Sequence, residues 1–247
     1  MNKLNIIHED NHIIVADKPA GILTQGDYSG EQSLLDMIKE YIRIKYNKPG
    51  EAFIGLVHRL DRPVSGLLVF ARTSKAAARL QKEFTSGRIK KFYLAVVETG
   101  SELNPGWNKL ENFLERDRDI TYVVPSATAR SEKAVLYYNE LLKEKNFSLI
   151  LIKLDTGKKH QIRAQLSGIG KPVAGDKKYG SKNSAAESIL LHSAWLSFKH
   201  PVKDEIMQFY SAPPAIFRKF IEYNSEELAE NVIKLAENFP VTQVCRD

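Results

Sequence analysis

Apolar and polar positions alternate as in β-strands through much of the chain, while helical spacing is confined to three stretches. Residues 6–18 read as two short strands joined by a turn at Glu9-Asp10-Asn11 and ending before Pro19-Ala20-Gly21. Ser33 and Asp36 have the spacing of a capping box, and the helix they open carries Leu34, Leu35, Ile38 and Ile42 on one face and stops near Asn47-Lys48-Pro49-Gly50. Apolar runs at 53–57 and 66–71 bracket a polar hinge that holds Asp61, with Pro63 and Gly66 supplying turn geometry. Ser74 is placed to cap a second helix with Ala77, Leu80 and Phe84 inward, stopped at Gly87. Further strands are predicted at 92–97, 120–124, 134–138 and 147–154. Residues 98–132 are polar, contain Pro105, Gly106 and Pro125, and are predicted to be an excursion from the core. Leu228, Val232, Leu235 and Phe239 define an amphipathic terminal helix at about 225–239. Many strands with few helices predict one α+β domain over residues 1–247, a mainly antiparallel mixed sheet with flanking helices.

Composition narrows the class. With 247 residues and 43% hydrophobic content the chain can build a globular core, which excludes disordered and fibrous proteins. No apolar run approaches the roughly 20 residues of a membrane span, and no secretory leader is evident, so a cytoplasmic protein without membrane attachment is expected. The single Cys245 can form no internal disulfide and has no thiol partner for a metal, which fits a reducing compartment and argues against a metal site. Formal charge is +6, but residues 222–247 hold six acids and two bases, leaving +10 on residues 1–221. A body so charged attracts phosphate backbones, although lysines that only confer solubility give the same count.

The familiar enzyme signatures are missing: no Gly-rich loop before a Lys-Ser/Thr pair, no His-Glu-x-x-His and no Gly-x-Ser-x-Gly. What remains is one carboxylate among arginines, in His58-Arg59-Leu60-Asp61-Arg62-Pro63. A guanidinium nearby holds a carboxylate ionised, and an ionised carboxylate can act as nucleophile or base. An aspartate that merely caps a turn is the commoner meaning of Asp-Arg-Pro alone. A second polar cluster, Thr156-Gly157-Lys158-Lys159-His160-Gln161-Ile162-Arg163, follows another strand-like run and offers cationic partners.

These segments resemble, in order, the motifs of the RluA family of RNA pseudouridine synthases. Ile14-Val15-Ala16-Asp17-Lys18-Pro19-Ala20-Gly21 resembles the opening motif, and His58 to Gly66 the catalytic one. Lys91-Phe92-Tyr93 resembles the lysine-x-tyrosine element. The Thr156 cluster, followed by Gly170-Lys171-Pro172-Val173-Ala174-Gly175-Asp176-Lys177-Lys178-Tyr179-Gly180, resembles the third motif and its turn, and Leu191-His192-Ser193 with His200-Pro201 the closing element. Val64, Lys158 and Ala164-Gln165 depart from the usual threonine, arginine and Val-His, which bears on substrate preference.

The resemblance implies the pseudouridine synthase fold, in the form lacking an N-terminal RNA-binding domain, and isomerisation of uridine in ribosomal or transfer RNA. It implies no cofactor and no metal, an RNA loop or stem-loop as partner, and a monomer. Asp61 would be the essential carboxylate, Arg163 the residue that pairs with it, and Tyr93 the aromatic that stacks on the base and exchanges a proton with the sugar. Leu191 would lie under the base, and Arg59 would enter the RNA stack in place of the extruded uridine. His58, Arg62, Lys158, His160 and Gln161 would contact substrate. Two other classes remain open: a catalytically silent RNA-binding protein of the same fold, and a retaining-type glycosidase, which needs a second acid at a defined spacing.

Overall fold

The computed structural model describes residues 4–47, 49–99, 103–183, 186 and 188–240. Cys245, and Lys48 in the turn expected after the first helix, lie outside the described residues. The chain opens with the hairpin β1 (Asn5–Glu9) and β2 (Ile13–Lys18), whose turn is held by the Asp10 carboxylate accepting the backbone N–H groups of His12 and Ile13 at 2.7 and 2.9 Å. Helix α1 (Leu34–Lys45) starts at the expected capping box, Ser33 and Asp36 each accepting from the other's backbone N–H. After β3 (Gly55–Leu56) and β4 (Ser65–Ala71) comes α2 (Ser74–Thr85). Its cap is Thr73 rather than Ser74, because Thr73 has the extended backbone a cap requires and accepts from Ala76 N–H at 3.1 Å.

The remaining elements are β5 (Lys90–Glu98), β6 (Asn108–Asp117), β7 (Ile120–Val124), β8 (Glu132–Lys143), β9 (Phe147–Leu154), α3 (Gln161–Gly168), β10 (Leu191–Lys199), β11 (Ile206–Tyr210) and α4 (Ser225–Glu237). They form one eleven-stranded sheet in the order β1-β2-β4-β10-β5-β9-β8-β6-β7, with β3 added beside β4 and β11 beside β10. Every pairing is antiparallel except β4 with β10, where His192 and Ser193 lie opposite Ser65 and Gly66. The α+β class and the mainly antiparallel mixed sheet are therefore as expected. At the parallel seam Gly66 has φ +112°, and a Cβ there would stand 2.3 Å from the Ser193 carbonyl oxygen, so only glycine lets the two strands meet.

Both sides of the central strands are covered, which is why they read as unbroken apolar runs. Ile14, Ala16, Leu68 and Phe70 pack toward α1, while Ile13, Val15, Leu67 and Val69 pack toward α2. On β5, Phe92, Leu94 and Val96 join a cluster with Leu228, Val232 and Ala236 of α4, and the alternate residues Tyr93, Ala95 and Val97 join Ile162 and Leu166 of α3. One region differs from expectation. Residues 98–132 are not an excursion: β6 is a ten-residue strand paired on both sides, and its polar, poorly alternating sequence is stabilised by the ladders to β7 and β8 rather than by burial. The polar cluster after β9 turns into α3, which carries Arg163 and starts from a left-handed His160 with φ 55°.

Candidate active site

Asp61 sits in the turn between β3 and β4, and the turn is clamped on both sides of it. Thr24 Oγ1 donates to the Leu60 carbonyl at 2.8 Å and accepts its N–H at 3.2 Å. The Arg62 carbonyl accepts from Gly21 N–H at 2.9 Å and from the Lys18 ammonium at 3.0 Å. Lys18 is fully buried and spends its other donors on the carbonyls of Pro19 and Ile22. Burial pushes its pKa down to about 7, opposed by the charges of Asp61 and Asp17. The opening motif is thus the back wall of the Asp61 turn, a role invisible in the sequence except as a lone charge at the end of an apolar strand.

From the other side α3 brings Arg163. Its Nη1 lies 3.2 Å from Asp61 Oδ2, while Nε and Nη2 make a bidentate pair with Asp176 at 2.6 and 2.9 Å. Burial disfavours the guanidinium charge, but the Asp176 and Asp61 carboxylates outweigh it and hold the Arg163 pKa above its ordinary value. Tyr179 stacks under the same guanidinium, 4.7 Å from ring centre to Cζ. Asp176 and Tyr179 lie in the third-motif turn, and the sequence marks them only as an aspartate and a tyrosine between Gly175 and Gly180.

His160 completes this side. Its Nε2 is 3.5 Å from Asp61 Oδ2, and its Nδ1 is 2.9 Å from the Tyr179 hydroxyl. That hydroxyl also accepts the Thr121 N–H at 2.9 Å, and it can either donate to or accept from His160 Nδ1. In the neutral tautomer protonated at Nε2, that N–H faces Asp61. Burial pushes the His160 pKa down to about 4 against the pull of Asp61, which keeps the ring neutral at physiological pH.

Asp61, His160 and Arg163 line one cleft of about 1270 Å³, larger than the roughly 300–1,000 Å³ of a small-molecule pocket. Tyr93 and Leu191, buried on β5 and β10, form apolar parts of its wall. Burial raises the Tyr93 phenol well above its usual pKa, partly offset by a hydrogen bond with Ser193 and reinforced by the Asp61 charge. Arg59 is exposed on the cleft and engages no other group among the described residues. Lys158 also reaches the cleft, ion-paired with Glu132.

Three expected substrate contacts are held by partners within the protein, although His58 and Gln161 also line the cleft. Arg62 turns away from Asp61 to make a bidentate pair with Glu31 and a bond to the Gly21 carbonyl, because its backbone is fixed by Lys18 with the side chain outward. Gln161 is 2% exposed and uses all four of its hydrogen-bonding positions on Thr156, Lys158, Val135 and Gln165, bracing the turn before α3. His58 accepts the Val69 N–H at 3.0 Å through Nε2 and stacks on Phe84, and burial pushes its pKa down to about 3.

A profile of the RNA pseudouridylate synthase family matches residues 12–168. The chain is 32% identical over 224 residues to ribosomal large subunit pseudouridine synthase D of Zymomonas mobilis, covering 85% of this chain and 69% of that one. It is 31% identical over 216 residues to the dual-specificity RNA pseudouridine synthase RluA of Pasteurella multocida, covering 86% and 94%. The fold matches that of human RNA pseudouridylate synthase domain containing 1 with a TM-score of 0.72 at 20% identity, over 94% of this chain and 95% of that one. With more than half of its length under the family profile, this chain belongs to the RluA-type RNA pseudouridine synthases, isomerases that convert uridine to pseudouridine in RNA.

Proposed function

We propose that the protein isomerises particular uridines of structured ribosomal or transfer RNA, with Asp61 as the essential carboxylate. The observation that carries this is the Asp61 carboxylate held 3.2 Å from the Arg163 guanidinium inside a cleft of polymer-binding size. The name of one relative, a ribosomal large subunit enzyme, supports ribosomal RNA, and that of another, a dual-specificity RNA enzyme, supports more than one target. The continuous sheet, running from β1 to β7 without a break, supports reading residues 1–247 as one catalytic domain.

Isomerisation breaks the N1–C1′ bond, turns the base and forms a C5–C1′ bond. Asp61 attacks the nucleoside or takes a sugar proton, and in either route the Arg163 guanidinium stays beside the carboxylate at 3.2 Å. Tyr93 offers an aromatic face to the extruded base and Leu191 an apolar support beneath it. Arg59, unpaired at the cleft, fills the gap the uridine leaves in the RNA stack. Extrusion costs a few kcal/mol from a paired helix and less from a loop, so a flexible loop or stem-loop uridine is the preferred target.

Tritium release from C5-labelled uridine in RNA tests the reading. Release by the wild type and none by a folded Asp61→Asn variant is expected. Free base or sugar would identify a glycosidase instead, and binding without release a silent binder.

A further inference from the structure

The cations around the cleft are not equivalent. Lys109, Lys133, Lys158 and Lys159 each sit within ion-pairing distance of a carboxylate, and Arg163 is shared between Asp61 and Asp176. Arg59 and Arg116 have no carboxylate partner among the described residues, but both are exposed and hydrated. Lys91 is the exception. It is half-buried on the cleft wall, and its ammonium makes no hydrogen bond or ion pair among the described residues. The ammonium lies 5.7 Å from the centre of the Phe84 ring, and a Cβ at Gly157 would stand 3.3 Å from Nζ. Burial pushes its pKa down to about 8, and the charge of Lys153 adds to that.

A positive charge partly stripped of water and left without a partner destabilises the free protein, and an incoming anion would relieve it. Which anion follows from position. Lys91 and Tyr93 are two residues apart on β5, hence on the same side of the strand and about 6.6 Å apart along it. With the base on Tyr93 and the sugar at Asp61, the phosphate of that nucleotide is directed back along β5 toward Lys91. The bare backbone of Gly157 leaves the approach open.

We propose that Lys91 receives a backbone phosphate of the uridine that enters the cleft and thereby fixes its sugar over Asp61. The proposal rests on the function given above. Lys91 is then a positioning residue for the reaction and, among the described residues, the half-buried cleft cation whose partner the substrate supplies.

The test uses total RNA from cells lacking the gene, labelled at uridine C5, so that the natural sites are present and unmodified. Wild type, Lys91→Met and Lys91→Arg are compared for tritium release over a range of RNA and salt. Lys91→Met should lower kcat/KM about 10- to 100-fold, the worth of one charge-assisted hydrogen bond, with the loss in KM. It should also flatten the dependence of log(kcat/KM) on log salt by about one counterion. Lys91→Arg should keep the slope. The melting temperature of Lys91→Met should hold or rise, whereas a purely structural lysine would lower it. Unchanged KM and slope would overturn the proposal, as would a collapsed saturating rate at unchanged KM, which would make Lys91 a proton carrier. If the wild type releases no tritium, the function itself fails, and the salt slope of binding to the same RNA still decides whether Lys91 meets phosphate.

Discussion

Arg163 divides its guanidinium unequally: two nitrogens go to buried Asp176 and one to the more open Asp61. The arrangement separates the residue that holds the arginine from the residue that uses it. Asp176 is 1% exposed at its side chain and Asp61 24%, so the same kind of substitution should have opposite signatures. Asp176→Ala leaves a buried guanidinium half unpaired and should destabilise the fold by roughly 3–5 kcal/mol. Asp61→Asn keeps shape and loses only one partly solvated contact, so stability should change by no more than about 1 kcal/mol while turnover disappears. Denaturant titration of both variants beside the tritium assay checks the contrast; an Asp61→Asn enzyme that still turns over would sink the proposed mechanism.

The β3–β4 turn and the β9–α3 turn hold the two polar clusters of the sequence, and each carries a testable group. His58 locks the first by accepting the Val69 N–H, which requires a neutral ring. Its pKa is lowered from 6.5 to about 3 in the folded protein, so between those values the unfolded chain binds a proton that the folded one does not. Stability should therefore fall as pH drops through that window, by up to about 1.4 kcal/mol per pH unit from this group. Subtracting the pH–stability curve of His58→Gln, which keeps an acceptor but cannot titrate, isolates the effect; identical curves would refute it. In the second turn Lys158 and Lys159 face Glu132 and Asp119 at the surface. Such pairs contribute only about 0–1 kcal/mol, so phosphate can displace them. Lys158→Ala with Lys159→Ala should weaken RNA binding and flatten its salt slope by about one to two counterions, with saturating turnover better preserved.

Across the molecule, the basic body and the chemistry are joined by one sheet. The proposed mechanism calls on one carboxylate and its neighbours, and among the described residues no group of three or more His, Cys, Asp or Glu is arranged to hold a metal. Turnover should persist in excess chelator once the RNA has been folded and a magnesium-free folding control has been run. Loss of activity that Zn²⁺ restores would contradict this.

The strands β2, β4, β5 and β9, the helices α1 and α2, and the order of the motifs were legible in the residues, because alternation, capping and local turn chemistry are properties of neighbours in the chain. So was the choice of Asp61, Tyr93, Arg163 and Leu191 as a set lining one cleft, which the resemblance implied and the fold brings together. The strand β6 was not legible, since its stability comes from partners on β7 and β8 rather than from its own polar sequence. Nor were the directions of side chains within a motif: Arg59 and Arg62 both flank Asp61 in sequence, yet the clamp from Lys18, 44 positions before Arg62, turns Arg62 out to Glu31 and leaves Arg59 exposed on the cleft. The pairing of Arg163 with Asp176, the neutral state of His160 and the isolation of Lys91 likewise depend on burial and on contacts between distant segments. Those are long-range terms, and only packing fixes them.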